Sequence, residues 1–183
     1  MPATFNLFEP LILDSEDDTL SFMDRINPNS WQTCKGFVEK GNYKVLDRNN
    51  AKTPEERTAI MRQAFTCDVF LTGTNAITET GELVNIDGIG NRVAAMTFGP
   101  ESVIVIAGIN KVVPTVMDAA NRARNTAAPI NAQRFDIKTP CKIDGTCHDC
   151  NSPDSICSYI VRTRRCKPNG RIKVILVGES LGF

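Results

Sequence analysis

Short apolar runs alternate along this chain with segments in which apolar residues recur at helical spacing. Continuous β-branched runs such as SVIVIA and IKVILV are typical of parallel strands that are buried on both faces. The runs predict strands at residues 9–13, 42–47, 67–71, 102–107 and 172–177. The segments between them predict helices at residues 17–26, 53–65, 91–97 and 113–127. This alternation predicts an α/β fold with an open, mainly parallel sheet flanked by helices.

The sequence TPEE at residues 53–56 gives the clearest helix start. Thr53 suits the N-cap, Pro54 the first helical position and Glu56 the third, where its carboxylate completes a capping box. We therefore expect this helix to begin at Pro54.

A polar, glycine-rich segment, TGTNAITETGELVNIDGIGNR, follows the strand predicted at residues 67–71. A β-hairpin with Glu79, Thr80 and Gly81 at its turn accounts for the apolar positions of this segment. The hairpin does not account for the many polar side chains gathered there. Because ligands bind at the carboxyl ends of strands in open α/β sheets, the segment predicts a ligand crevice.

The polar residues of the segment suit an anionic ligand and acid–base chemistry. Glu79 and Asp87 are the candidate catalytic acid–base groups. Backbone N–H groups of a glycine-rich loop and the guanidinium fork of arginine both bind carboxylates and phosphates. The candidate ligand-binding residues are Gly73, Thr74, Asn75, Asn85, Asn91 and Arg92, with Asn110 and Lys111 after the next strand.

These residues also have structural interpretations. Arg92 could pair only with Asp87, Asn75 could only hold a turn, and Lys111 could be solvated. The chain contains no P-loop sequence, and GIG at residues 88–90 lacks the third glycine of a dinucleotide-binding fingerprint. The predicted site therefore has no nucleotide-binding motif.

Four of the seven cysteines, Cys141, Cys147, Cys150 and Cys157, lie within 17 positions and have the spacing C-x5-C-x2-C-x6-C. A two-residue gap lets both sulfurs face one metal, and four thiolates suit an iron–sulfur cluster or tetrahedral zinc. The alternative is that these cysteines bind no metal and pack within an irregular segment of about 40 residues, although such a long segment needs something to order it. His148, the only histidine, is either a ligand there or a surface residue.

Composition narrows the classes of function. Lys and Arg together number 21, as do Asp and Glu, so the net charge is zero and no basic excess favours nucleic-acid binding. No apolar run approaches the roughly 20 residues that span a bilayer. The first residues lack the basic start and long apolar core of a signal peptide, so we expect a cytoplasmic location and reduced cysteines.

Several stretches resemble the LUD (lactate utilisation) domain family. The strongest is TGTNAITETGELVNIDGIGNRVAA, and GNYKVLDR, NTAAPINAQR, TPCKIDGTCHDCNSPDSIC and GRIKVILVGESLGF agree with it. The resemblance covers residues 41–183. It implies the fold shared by ribose-phosphate isomerases, glucosamine-phosphate deaminases and CoA transferases. It also implies a role in oxidation of lactate to pyruvate, and that redox role favours an iron–sulfur cluster over zinc.

The chain carries no flavin or nicotinamide signature, so a redox role implies partner subunits of a lactate-oxidising complex, with a homo-oligomer as the alternative assembly. Two further functions stay open: a non-catalytic module that binds a small anion, a sugar phosphate or acyl-CoA, and a structural remnant with a zinc staple. Asn75 stands close to where related enzymes carry a catalytic carboxylate. The Gly-Gly-Ser loop expected near residues 31–37 is missing, so we predict a single LUD-like domain, residues 1–183, shortened at its N-terminus.

Overall fold

The computed structural model describes residues 19–22 and 44–183, and its main sheet consists of five parallel strands. The strands are β1 (Thr19–Phe22), β2 (Lys44–Asp47), β3 (Val69–Thr72), β6 (Ser102–Gly108) and β9 (Ile172–Val177). Their order is β2-β1-β3-β6-β9, and every neighbouring pair runs parallel. The predicted α/β class and open parallel sheet are confirmed.

A second, mixed sheet grows out of the predicted hairpin. Its strands are β4 (Ala76–Thr78), β5 (Leu83–Asp87), β7 (Val112–Val113) and β8 (Tyr159–Thr163), in the order β7-β4-β5-β8. β4 and β5 pair antiparallel with Ile77 opposite Leu83, which confirms the hairpin. Gly81 in the turn has a φ of 84°, a left-handed conformation that favours glycine.

The helices are short and cover both sheets. They are α1 (Pro54–Gln63), α2 (Asn91–Thr97), α3 (Val116–Arg122), α4 (Ala128–Ala132) and α5 (Pro140–Asp144), with a π-helical turn, Ala123–Ala127, between α3 and α4. Single 3-10 turns occupy Arg48–Asn50, Ala64–Thr66 and Ile109–Lys111. Within the described ranges, no helix has the length and hydropathy of a bilayer span.

The start of α1 is confirmed with one change. Thr53 Oγ1 accepts a hydrogen bond from the N–H of Glu56 at 3.2 Å, as expected of an N-cap. The Glu56 carboxylate accepts from the N–H of Lys52 at 2.7 Å, one residue before the cap.

Four predictions of secondary structure need correction. The helix predicted at residues 17–26 is wrong at Thr19–Phe22, because that segment pairs on both sides as β1. The helix predicted from residue 113 begins at Val116, because the Thr115 hydroxyl caps it and Val112–Val113 forms β7. The segment predicted to be irregular contains α5 and β8. β9 is an edge strand of the described sheet, so Ile175 is 49% exposed rather than buried. The strand predicted at residues 9–13 and the loop missing near 31–37 lie outside the described residues.

The hairpin packs into two separate apolar clusters, because its strands present alternate residues to opposite faces. One face packs with α1, α2, β3 and β6 in a cluster of Met61, Ala64, Cys67, Phe70, Ile77, Leu83, Ala95, Met96, Val103 and Val105. The other packs under α3 and the π-helical turn in a cluster of Ala76, Val84, Ile86, Ala119, Ala123 and Ala128. The hairpin is thus held from both sides, which fixes the polar segment at its base.

A buried arginine closes the end of α2. Arg171, just before β9, is 9% exposed and donates to the carbonyls of Ala95 (2.9 Å), Met96 (2.7 Å) and Pro100 (2.8 Å). The carbonyls of the last helical turn have no partner within the helix, and a cation there also complements the helix dipole. Arg171 therefore joins β9 to the helix that begins at the crevice.

We expect Arg171→Met to lower the free energy of unfolding by about 2–4 kcal/mol, because it leaves buried carbonyls without donors. Urea unfolding of the variant measures this loss. The control is Arg165→Met, which removes an exposed arginine from the same loop. Equal stability of the two variants would contradict the structural role of Arg171.

Candidate functional site

A crevice of about 330 Å³ lies at the carboxyl edge of the main sheet. Its walls include Arg48 after β2, residues 73–75 after β3, Lys111 after β6 and residues 181–183 after β9. This is the edge at which the sequence located a crevice, and binding of a ligand there stays a prediction.

The structure brings together most of the predicted site residues. Those that line the crevice are Gly73, Thr74, Asn75, Asp87, Asn91, Arg92 and Lys111. Glu79, Asn85 and Asn110 do not line it. Glu79 is exposed in the hairpin turn, where its N–H donates to the carbonyl of Val113 at 2.9 Å. The geometry therefore gives no support to Glu79 as an acid–base group of the crevice.

Three consecutive carbonyls of the loop after β3 each accept a hydrogen bond from a different cationic side chain. Arg92 Nη1 donates to the carbonyl of Gly73 at 3.4 Å, and Lys111 Nζ donates to that of Thr74 at 3.0 Å. Arg122 Nη1 donates to the carbonyl of Asn75. We call this arrangement the carbonyl triad, residues 73–75. The loop thus turns its carbonyls toward cations, whereas the sequence led us to expect backbone N–H groups turned toward an anion.

Of the three cationic side chains, Arg92 makes the most hydrogen bonds around the crevice. It is buried, its Nε donates to Asp87 Oδ1 at 2.9 Å, and its Nη2 donates to Asn75 Oδ1 and to the carbonyl of Ile86, both at 2.9 Å. Asp87 Oδ2 accepts from the N–H of Val93 at 3.0 Å. Arg92 therefore pairs with Asp87, as its structural interpretation proposed, and also joins the loop after β3 to the end of β5.

Two asparagine side chains complete the base of the crevice. Asn75 Oδ1 also accepts from the N–H of Ile86 at 2.9 Å, and the N–H of Asn75 donates to Asn85 Oδ1 at 3.1 Å. Thr74 Oγ1 also donates to Asn85 Oδ1 at 3.1 Å. Within the described part of the chain, Asn85 Nδ2 is buried without an acceptor. The buried Asn85 side chain thus holds the loop after β3 in place. The N–H of Asn75 already donates to it and is therefore not available to a ligand.

Asn110 holds the last residues of the chain against the crevice. Its Nδ2 donates to the carbonyl of Gly182 and its Oδ1 accepts from the N–H of Leu181, both at 3.1 Å. Arg122 Nε donates to the carbonyl of Asn110 at 3.0 Å. Burial lowers the pKa of the Arg122 guanidinium, as expected for a cation used inside the fold. Asn110 therefore does not line the crevice itself but holds in place Leu181 and Gly182, which do.

Three arginines at the rim of the crevice were missed by sequence reasoning. These rim arginines are Arg48, Arg57 and Arg134. Arg134 Nη1 donates to Asn131 Oδ1 at 3.1 Å, and its guanidinium carbon lies 6.0 Å from the Phe135 ring centre and 5.9 Å from that of Phe183. Arg48 directly follows β2, so the expectation that ligands bind at the carboxyl ends of strands could have located it. Arg57 lies on α1 and Arg134 follows α4, and neither position has a sequence pattern that points to a site.

The four predicted metal-binding cysteines line a second, smaller cavity of about 70 Å³ beside the second sheet. All six cysteines of the described ranges are free thiols. Burial raises the pKa of the Cys157 thiol, and negative charge at Cys147, Cys141 and Cys150 raises that pKa further. Among the described residues, no three His, Cys, Asp or Glu side chains already stand at ligating positions around one point.

Besides the cysteines, the ionisable side chains that line this cavity are Arg124, Asp149 and His148. Arg124 contacts Cys147 and forms an ion pair with Asp149, and these contacts raise the pKa of the guanidinium. His148 Nε2 lies 2.6 Å from Asp144 Oδ2, and the hydrogen bonds from Thr146 and His148 lower the pKa of Asp144. His148 is therefore paired with a carboxylate at the surface.

Gly108 is essential for the close approach of the last residues of the chain to β6. A Cβ at this position would lie 2.3 Å from the nitrogen of Leu181, 2.4 Å from Asn110 Oδ1 and 2.6 Å from the carbonyl oxygen of Glu179. We expect Gly108→Ala to displace residues 179–182 and to lower the free energy of unfolding by about 1–3 kcal/mol.

Chemical denaturation and limited proteolysis of the C-terminal residues measure this effect. Gly178→Ala is the matched control, because its Cβ would meet no atom within 4 Å. A Gly108→Ala variant that is as stable and as protease-resistant as the control would contradict this role of Gly108.

Comparison with curated proteins gives only short matches. The chain is 54% identical over 41 residues to the glutamine–tRNA ligase of Clostridium perfringens and 51% identical over 41 residues to that of Clostridioides difficile. Each match covers 21% of this chain and 7% of the ligase, so the chain spans a small fraction of these relatives.

Among solved structures, a DUF162 family protein from Deinococcus radiodurans aligns over 88% of both chains with 14% identity and a TM-score of 0.40. That distant likeness carries no argument about function. The LUD domain family model matches residues 16–177. This range includes both sheets and the lining of both cavities, apart from residues 181–183 of the crevice. The chain therefore belongs to the LUD domain family.

Proposed function

We propose that this LUD domain binds a small organic anion in the crevice at the carboxyl edge of the main sheet, as an accessory component of lactate utilisation. The observation that carries the proposal is the charge of the described crevice wall. Five cationic side chains line it, Arg48, Arg57, Arg92, Lys111 and Arg134, against one acidic side chain, that of Asp87. Such an excess attracts anions and concentrates them at the site.

Four of the five cations of the wall form two groups with different roles. Arg92 and Lys111 are buried and donate to backbone carbonyls and to Asp87, so they hold the crevice together. Arg57 and Arg134 are exposed at the rim, where a carboxylate or phosphate can reach their guanidinium groups. We therefore assign anion recognition to Arg57 and Arg134.

Binding without turnover fits this geometry better than catalysis. Asp87 accepts hydrogen bonds at both carboxylate oxygens, from Arg92 and from the N–H of Val93. A general base needs a carboxylate that can approach the substrate proton, and these bonds compete with that approach. A redox step would then belong to partner subunits.

The size of the crevice favours an organic phosphate over lactate itself. Its volume of about 330 Å³ falls in the range of sites for whole small molecules, and a three-carbon acid would leave much of it to water. The Phe135 and Phe183 rings at the rim offer apolar surface beside the guanidinium of Arg134. A sugar phosphate or the phosphate-bearing part of acyl-CoA matches this combination.

Calorimetric titration with inorganic phosphate, lactate and pyruvate at low salt tests the proposal. We expect phosphate to bind most tightly, and Arg57→Gln and Arg134→Gln each to weaken it about tenfold, which corresponds to about 1.4 kcal/mol. Arg165→Gln, an exposed arginine outside the crevice wall, is the control and should bind phosphate as the natural chain does.

Failure of the natural chain to bind any of the three anions would contradict the proposal. Equal weakening by Arg165→Gln would also contradict it, because the effect would then come from overall charge rather than from the rim.

A further inference from the structure

The cavity beside the second sheet gathers sulfur from three separate segments. Cys141 lies on α5, Cys147 and Cys150 lie in the irregular loop after α5, and Cys157 stands just before β8. All four side chains are partly buried and face the same space of about 70 Å³. Packing alone does not explain why four thiols from three segments line one cavity.

A cation already faces this group of thiols. Arg124 lies on the π-helical turn, where its guanidinium contacts Cys147 and pairs with Asp149. The same charge offsets the net negative charge of a four-thiolate centre around a divalent ion.

We propose that Cys141, Cys147, Cys150 and Cys157 bind a single soft divalent cation, for which zinc is the natural choice. Four thiolates select zinc through softness and tetrahedral geometry, with zinc–sulfur distances of about 2.3 Å. The described thiols do not yet stand at such positions, so binding turns their side chains inward toward the cavity that they already share. Arg124 is a positioning residue, because it acts through Cys147 and Asp149.

The small cavity is the reason for a single ion. An iron–sulfur cubane brings four irons and four sulfides and has to fit inside its four cysteines, which needs far more room than one ion. The single ion would tie α5 and the loop that follows it to β8. Since β8 pairs with β5, which ends at Asp87 beside the crevice, the ion would also be linked to the crevice. Metal binding would then add folding free energy to a segment that has little apolar core of its own.

Metal analysis of the full chain, purified without oxygen and without chelator, tests the proposal. We expect about one zinc per chain, little iron and no acid-labile sulfide. After removal of the metal, titration with cobalt(II) should give the intense visible bands of a tetrahedral thiolate site. Serine substitution of any one of the four cysteines should weaken zinc binding by at least about 100-fold, and Arg124→Gln should weaken it about tenfold.

Cys166→Ser is the matched control. The Cys166 sulfur lies outside the cavity, donates to the carbonyl of Pro168 at 3.1 Å and accepts from the N–H of Ile172 at 3.2 Å, and a serine hydroxyl keeps both bonds. We expect this variant to bind one zinc with unchanged affinity.

Three results would overturn the proposal. They are a natural chain that binds neither zinc nor cobalt, a content of about four irons with sulfide, and loss of zinc in Cys166→Ser equal to that in the cavity variants. A cavity variant that fails to fold is replaced by the cobalt spectrum of the natural chain, which reports thiolate ligation directly. Phosphate titration of the same samples tests the anion site independently of the metal site, since the two cavities share no lining residue.

Discussion

The crevice depends on the buried guanidinium of Arg92. Burying an arginine is unfavourable unless every part of its fork finds an acceptor, and here the acceptors are Asp87, Asn75 and two backbone carbonyls. These acceptors come from the loop after β3 and from the end of β5, while Arg92 itself lies in the first turn of α2. One side chain thus fixes three elements that meet where a ligand would enter.

Lys111 and Arg122 extend the same principle around the loop. Each places its cation on one member of the carbonyl triad, so residues after β6 and on α3 hold the loop after β3. Buried carbonyls need donors, and donors that carry charge make the stronger bonds. These bonds hold the loop without any bound anion. The proposed anion recognition therefore falls to the exposed side chains of Arg57 and Arg134.

The sequence predicted those parts of the fold whose signals are local. The run SVIVIA formed a doubly paired strand, the TPEE start formed a capped helix, and the hairpin took its expected turn. The sequence also suggested the pairing of Arg92 with Asp87 as one interpretation, because the two residues are only five positions apart. What the sequence could not supply was pairing across long distances.

β8 shows why such pairing is missed. Its sequence, YIVRT, is short and carries an arginine, and it lies among turn-forming residues next to the cysteines. It becomes a strand because β5 offers an open edge, and Arg162 then makes two hydrogen bonds, at 2.7 and 3.0 Å, to the carboxylate of Glu82 across the pair. Arg57 and Arg134 were missed for a similar reason, because only the folded chain brings them to one opening.

The most direct test of this account is the replacement Arg92→Lys, followed by urea unfolding and phosphate titration. Lysine keeps the charge and loses the fork, so it cannot reach the four acceptors at once. We predict a loss of about 3 kcal/mol in unfolding free energy and loss of phosphate binding, although Arg57 and Arg134 remain. Stability within about 0.5 kcal/mol of the natural chain, with phosphate binding unchanged, would contradict the central place given to Arg92.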